Sequence, residues 1–527
     1  MTVHELSRSR SWIVDLPRRG VDVTRVLSAA LVATSVVFVL GFLVAAYFRL
    51  TYAYPLWVIE DASVQAVRRI LRAESLYGPP SLEYVPPLYA PLYFYVSALV
   101  ARVLGPNLLT LRLVSLAASM SSAAIIGHLV WRETRHRVAA VVAAAVFVCS
   151  TALAETSLDL ARVDALSLCF ILASLDLARA ADVHPGRRAG WLSLASGVLL
   201  AMAILSKQTA AAVAVVLTVH AALTGRPVRL AGFLLGLVVS LGVAGAILIA
   251  QYGAWPQLYL IELPRQHSLD TKRLESFWSK QLLPGFSVPL VAVPVFLLGR
   301  LLDRDAAALR FWVLVTVGML AMAWGASLNL WSGDNVVLPA FAILAAGFGL
   351  GVAEALRRLD VPLPSARVFR LYVLLLALGQ FAFIHYNPRQ TSPLRSDVEA
   401  GQRTIAAIRD LPGAVFAPEF PELAYQAGKG EQPFGLSVGE LQGIFGGKPR
   451  PPATDWTSAY AQALDERRYD EVLLERDGVL FFVIDATRDH GYVDTGPLMP
   501  PGDEFYRLAS RFIPELHVWV PRERIRR

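Results

Sequence analysis

Eleven stretches of this chain are almost continuously apolar: near residues 25–47, 109–131, 138–155, 164–181, 190–205, 209–223, 230–251, 285–302, 310–328, 335–353 and 368–386. Most approach the ~20 residues that a helix needs to cross a hydrocarbon layer of about 30 Å. A backbone without water must satisfy its own hydrogen bonds, so such stretches are helical. Composition agrees. Hydrophobic residues make up 55% of the chain and charged residues only 17%, against roughly 25% charged in soluble proteins. The expected fold is a polytopic α-helical membrane protein of about eleven transmembrane helices.

The arginines set the expected topology. Residues 1–24 carry Arg8, Arg10, Arg18 and Arg19 and read as a cytoplasmic tail. The first apolar stretch is too long for a cleavable signal and reads as an anchor. The stretch 88–104 reads as a helix in the membrane interface. If it does not cross, the arginine-bearing loops 131–137, 179–188, 224–229, 299–310 and 354–370 all fall inside, as the positive-inside rule requires. The short loops 155–162, 206–208 and 329–334 then fall outside. The clustered Tyr89, Tyr93, Phe94 and Tyr95 suit an interfacial aromatic belt.

Three regions follow: the tail 1–24, a membrane region 25–386 with a first outer loop 48–108, and a domain 387–527. In the last, Pro, Gly and charge rise. Strand-like runs at Ala414–Pro418, Val472–Leu474, Leu480–Asp485 and Leu516–Val520 alternate with helical patterns at 396–410 and 457–468. A small extracytoplasmic α/β domain is expected. The plasma membrane is the expected location, with the N-terminus cytoplasmic and the lipid bilayer as a standing partner.

The net charge of +7 does not imply nucleic acid, because there is no basic stripe or aromatic platform. Two cysteines, Cys149 and Cys169, lie in apolar segments and form no metal-ligand spacing. No cofactor is expected, and no spacing indicates a divalent metal. No nucleotide-binding glycine loop or Asp-x-Asp motif is present.

The polar residues at the outer membrane edge carry the chemistry. Glu60 and Asp61 open an amphipathic helix with Val64, Val67, Ile70 and Leu71 on one face and Gln65, Arg68, Arg69 and Arg72 on the other. Gly78-Pro79-Pro80 ends it. Such a helix would lie flat on the membrane, and its acids either favour the helix dipole alone or serve a reaction. Arg162 and Asp164 begin the span at 164–181 and either pair with each other or face a substrate. Lys207 sits between the two short spans 190–205 and 209–223, in a turn expected below the outer surface, either snorkelling or holding an anion. The outer loop 252–284 interleaves Arg265, His267, Lys272 and Arg273 with apolar residues, and a further outer turn holds Trp331, Asp334 and Asn335. Carboxylates suit a general base and cations suit a leaving phosphate. An outward site lacks nucleotide sugars, so its donor is expected to be lipid-carried.

The chain resembles the glycosyltransferase C superfamily, in particular the bacterial protein O-mannosyltransferases and lipid A aminoarabinose transferases. The resemblance covers roughly residues 25–386. It rests on Glu60-Asp61, Ala66-Val67-Arg68-Arg69-Ile70-Leu71, Leu76-Tyr77, Tyr84-x-Pro86-Pro87-Leu88-Tyr89, Pro91-Leu92-Tyr93, Leu111-Arg112-Leu113-Val114-Ser115, Ser206-Lys207-Gln208-Thr209 and Asn335-x-x-Leu338-Pro339. It implies an inverting transferase that moves a sugar from a polyprenyl-phosphate donor to a glycan, lipid or protein acceptor. The catalytic carboxylate would be Glu60 or Asp61; the family's usual order is Asp-Glu, here reversed. Lys207 and His267, with Arg265, would contact the donor phosphate. Asp164, Arg162, Tyr89 and Asn335 would line the substrate sites. The alternatives are a transporter or lipid-carrier flippase, which would show related halves, and a non-catalytic assembly protein.

Overall fold

The computed structural model describes residues 23–330, 332–449, 451–476, 478–500 and 515–525. Trp331 and the tail arginines Arg8, Arg10, Arg18 and Arg19 lie outside the described residues.

The chain is a multi-pass membrane protein. Among the described residues nine helices are long and apolar enough to cross: Val23–Thr51, Leu108–Thr134, Arg137–Ala154, Gly186–Ser206, Pro227–Tyr252, Arg273–Leu302, Ala306–Ser327, Asp334–Arg358 and Pro364–Phe383. The other two expected spans are the helices Asp164–Val183 and Ala211–Leu223. One expectation about length changes. The span read as 190–205 is a 21-residue helix, Gly186–Ser206, about 31 Å long at ~1.5 Å per residue. Arg187 and Arg188 had hidden its first turn from a reading based on apolarity. Only Ala211–Leu223, with 13 residues, remains short.

The helix Leu338–Arg358 runs through the middle of the bundle and is buried from Leu338 to Glu354 without a break. A helix apolar on every side belongs where neighbours surround it. Small residues bring those neighbours close: a Cβ on Gly351 would stand 2.2 Å from the Ala292 carbonyl oxygen, and one on Gly349 would stand 2.7 Å from the Ala143 Cβ. The crossing of Gly186–Ser206 with Pro227–Tyr252 is closer still. A Cβ at Gly197 or Gly236 would lie 2.2 or 2.1 Å from the backbone oxygen of Phe233 or Leu194. Packing through small residues is how helices associate where lipid offers no hydrophobic drive.

The first loop folds into two helices, Ile59–Leu71 and Leu92–Leu104, each of 13 residues. The second is about 20 Å long, shorter than each of the nine helices named above. The first is not laid open on a surface as expected. Its polar face is covered by the C-terminal region: Arg68 pairs with Glu422 at 2.7 Å and Glu431 at 3.0 Å, and Gln65 donates to the Gln432 carbonyl at 2.8 Å. Tyr93 and Phe94 are likewise fully buried, leaving Tyr95 as the exposed member of that cluster.

The C-terminal region holds a four-stranded sheet of β1 (Val415–Phe416), β2 (Glu471–Glu475), β3 (Tyr492–Pro497) and β4 (Leu516–Pro521) in the order β1-β2-β4-β3. β1 and β2 are parallel and the other pairs antiparallel. Helices Arg395–Asp410 and Pro451–Asp465 match the helical patterns. The run Leu480–Asp485, expected as a strand, starts the helix Phe481–Asp489 instead. Its buried positions explain why: Leu480, Val483 and Thr487 are enclosed while Phe481 is exposed, a spacing of three and four rather than two.

Candidate active site

One end of the bundle, together with the C-terminal region, encloses a cavity of about 540 Å³. Its polar lining includes Tyr89, Glu155, Arg162, Lys207, Gln208, His267, Arg273, Asn335 and Glu440. The C-terminal region forms its roof with Phe434, Leu436, Phe445 and Val479. Hydrogen bonds hold the roof to the loop after Pro227–Tyr252. His267 Nε2 lies 2.6 Å from Glu440 Oε2, and the Ser268 N–H donates to the Phe445 carbonyl at 2.9 Å. Burial raises the Glu440 carboxyl above its ordinary value.

The cavity's cations come from three separate loops. Lys207 breaks the chain between Gly186–Ser206 and the turn Gln208–Ala210 in extended backbone. Its Nζ sits 2.5 Å from Asp164 Oδ1, and the next residue, Gln208, donates to the Leu88 carbonyl at 2.8 Å. Asp164 also accepts from Asn335 Nδ2 at 2.7 Å and from Arg162 Nε at 3.2 Å. So Asp164 is a hub that positions Lys207, Arg162 and Asn335 and offers them to the cavity. It lines a smaller adjoining pocket with Lys207 and Asn335. Arg162 Nη1 is a buried donor without a protein partner, a cost unless an anion meets it. Arg273 is held by the Ser332 carbonyl at 2.7 Å. Tyr89 also faces the cavity, its phenol raised to about 12 by burial.

The first-loop acids lie elsewhere. Glu60 is fully buried, and its two oxygens accept four bonds: Arg112 Nε at 2.8 Å and Nη2 at 2.7 Å, and the N–H groups of Ala161 at 2.8 Å and Leu56 at 2.7 Å. Burial alone would raise its carboxyl, but Arg112 and these donors hold it below the ordinary 4.5. Arg112 in turn ties down the carbonyls of Arg49, Tyr52 and Tyr54, and Arg49 pairs with Asp159 at 2.7 Å. Asp61 is buried and accepts from the Glu422 N–H at 3.2 Å. The loop meets the cavity through Trp57, Val58 and Ile59. In this arrangement Glu60 and Asp61 brace the loop and its neighbours, and neither lines the cavity.

The structure therefore gathers Arg162, Lys207, His267, Tyr89 and Asn335 at one cavity, with Asp164 behind them. Arg265 is exposed and outside the lining. Sequence reasoning did not single out Glu155, Gln208 or Glu440 as site residues, nor Arg273 among the phosphate contacts. The available signal for Glu155 was its place at the end of a span beside Arg162 and Asp164. Among the described residues no group of three or more His, Cys, Asp or Glu side chains is placed to hold a metal ion.

Comparison with known proteins supports the resemblance seen in the sequence. Residues 86–249 match the family described as dolichyl-phosphate-mannose-protein mannosyltransferase. A search of curated protein sequences gives no match. Among solved structures, ArnT from Cupriavidus metallidurans in the apo state is similar at a TM-score of 0.58 and 12% identity, over 92% of this chain and 97% of that one. The same protein bound to undecaprenyl phosphate gives 0.56 at 12% identity, with the same coverage. The archaeal oligosaccharyltransferase AglB from Archaeoglobus fulgidus, in complex with an inhibitory peptide and a dolichol-phosphate, gives 0.51 at 11% identity, over 88% of this chain and 73% of that one. The chain shares its fold with ArnT and AglB.

Proposed function

We propose that this chain is an inverting glycosyltransferase of the plasma membrane. It moves a hexosyl or pentosyl unit from a polyprenyl-phosphate donor to an extracytoplasmic glycan, lipid or protein. The observation that carries this reading is the convergence of Arg162, Lys207 and Arg273 on one cavity at the end of a lipid-embedded bundle. Such cations stabilise the charge that develops on a departing phosphate. Undecaprenyl phosphate, bound to ArnT, and dolichol-phosphate, in complex with AglB, are lipid phosphates of this chemistry.

The orientation follows from the arginine-bearing loops, which leave the cavity and the C-terminal region outside and the N-terminus in the cytoplasm. Asp164 keeps Lys207 extended toward the phosphate, Tyr89 and Asn335 border the sugar, and the apolar roof with His267 and Glu440 shapes the acceptor side. Arg265, exposed beside this loop, takes no part in holding the phosphate. A single displacement inverts the anomeric centre.

Binding of undecaprenyl phosphate to the purified chain in nanodiscs tests the reading. Each charge-assisted bond is worth about 1.5–3 kcal/mol, roughly ten- to a hundredfold in affinity. Lys207→Ala and Arg162→Ala are each expected to weaken binding by at least about tenfold on that scale. Unchanged affinity in both variants removes the proposed phosphate site.

A further inference from the structure

We propose that Glu155 is the general base of this site, in place of the first-loop acids Glu60 and Asp61. The inference rests on the transferase reading above and goes beyond it by assigning the proton.

Three independent features of the fold converge on this residue. The first is access. Of the carboxylates lining the cavity, Glu440 is bonded to His267. Glu155 has no cation within ion-pair distance among the described residues, and its Oε2 is buried without a hydrogen-bond partner. Glu60 spends both oxygens on Arg112 and two backbone N–H groups. The second is backbone conformation. Glu155 and Thr156 both adopt the left-handed region, with φ of 51° and 54°. They close the end of the Arg137–Ala154 helix, a place where glycine serves without strain. A glutamate held there gains nothing for the turn and aims its side chain into the cavity, and strain of this kind gathers at functional sites. The third is clearance. A Cβ on Gly333 would stand 2.7 Å from Glu155 Oε2, so the opposite loop leaves the space that this carboxylate fills.

The electrostatics fit the role. Burial raises the Glu155 carboxyl above its ordinary 4.5, and Asp334 and Asp164 add to this. The Asp334 backbone N–H and Arg162 oppose it. Lys207, Arg273 and the His267–Glu440 pair are the other charged or titratable groups lining the cavity. A base lifted toward the working pH transfers protons most effectively. In the reaction, the acceptor oxygen or nitrogen forms its bond to the anomeric carbon as the bond from that carbon to the phosphate oxygen breaks. The electron pair leaves on the polyprenyl phosphate, held by Arg162 and Lys207, and the acceptor's proton passes to Glu155.

The test uses membranes containing the full chain and a panel of undecaprenyl-phosphate-linked hexoses and pentoses, reading release of undecaprenyl phosphate. Binding of undecaprenyl phosphate to each purified variant is measured in parallel. Glu155→Gln is expected to lower turnover roughly 10²–10⁴-fold with undecaprenyl phosphate affinity unchanged, and to abolish the acid limb of the wild-type pH–rate profile. Glu155→Gly, which relieves the left-handed backbone, is expected to lose turnover while melting no lower than wild type. That result separates a chemical role from a structural one. Wild-type turnover in Glu155→Gln overturns the assignment, and loss of turnover in Asp61→Asn alone would then move the base to the first loop. Failure of the wild-type chain to bind undecaprenyl phosphate is a different result and refutes the donor reading itself.

Discussion

At the scale of single residues, the cluster of Glu60, Arg112, Arg49 and Asp159 shows what holds a carboxylate inside this chain: each is paired with a buried arginine. All four side chains are fully enclosed. Removing one partner of such a pair leaves an uncompensated charge and costs about 3–5 kcal/mol. Glu60→Gln is therefore expected to lower the unfolding midpoint in detergent markedly. The pH dependence has a definite sign. The folded carboxyl of Glu60 titrates below its ordinary 4.5, so its contribution is complete above that pH and is lost as pH falls through the lower folded value. Wild type is expected to lose stability on acidification in that window, with a smaller loss in Glu60→Gln; an identical pH profile in the two would refute this role. The acidic pair was legible in the sequence as a site of consequence. Its partner Arg112, 52 positions away, was legible only as part of a resemblance. No local pattern says that both adjacent acids turn inward, because that depends on what the neighbouring elements place opposite them.

At the scale of elements, the helix Ile59–Leu71 is the joint of the molecule. Its sequence pattern is that of a surface helix, with arginines along one side. The structure buries Gln65 and Arg68 of that side against the C-terminal region, where Arg68 meets Glu422 and Glu431 and stacks 3.7 Å over the Tyr425 ring. An amphipathic pattern reports that a helix has two faces, and both water and a charged protein surface satisfy the polar one. Arg68→Ala is expected to loosen this joint. Hydrogen exchange of the 421–432 backbone would rise at least several-fold, with little change in the Leu338–Arg358 helix. Equal protection in the variant would show that the roof is held elsewhere. The stretch Phe481–Asp489 carries a related lesson. Its aromatic and β-branched residues favour a strand in isolation, yet the surface it packs on accepts residues at helical spacing, and packing overrides propensity.

At the scale of the whole molecule, the cavity and the arginine-bearing loops lie at different ends of the bundle, which makes the orientation testable. Arg187 is exposed at the start of Gly186–Ser206, and the Arg395 side chain is 93% exposed at the start of the C-terminal region. A cysteine at Arg395 is expected to react with a membrane-impermeant thiol reagent from outside intact cells or spheroplasts. One at Arg187 is expected to react only after lysis. The native Cys149 is buried and Cys169 half-buried, so background labelling is low. The reverse pattern would invert the proposed topology.

Membrane insertion was determined by the sequence alone, because hydrocarbon leaves apolar stretches of this length no option but helices. The placing of Lys207, Arg162, Asp164 and Asn335 near one another was also foreseeable, since each sits at a span end and the arginines say which ends share a side. Tertiary structure alone decided which of these groups meet and which acid faces the cavity. Asp164 gathers Lys207, Arg162 and Asn335 from three loops, Arg112 closes over Glu60, and the turn at Glu155 places a carboxylate in the cavity lining. The physical reason is that exposure of a polar group in so apolar a protein is set by the partners that reach it across the bundle. Those partners lie 52, 101 and 171 positions apart in the chain, as Arg112 does from Glu60, Ala161 from Glu60, and Asn335 from Asp164.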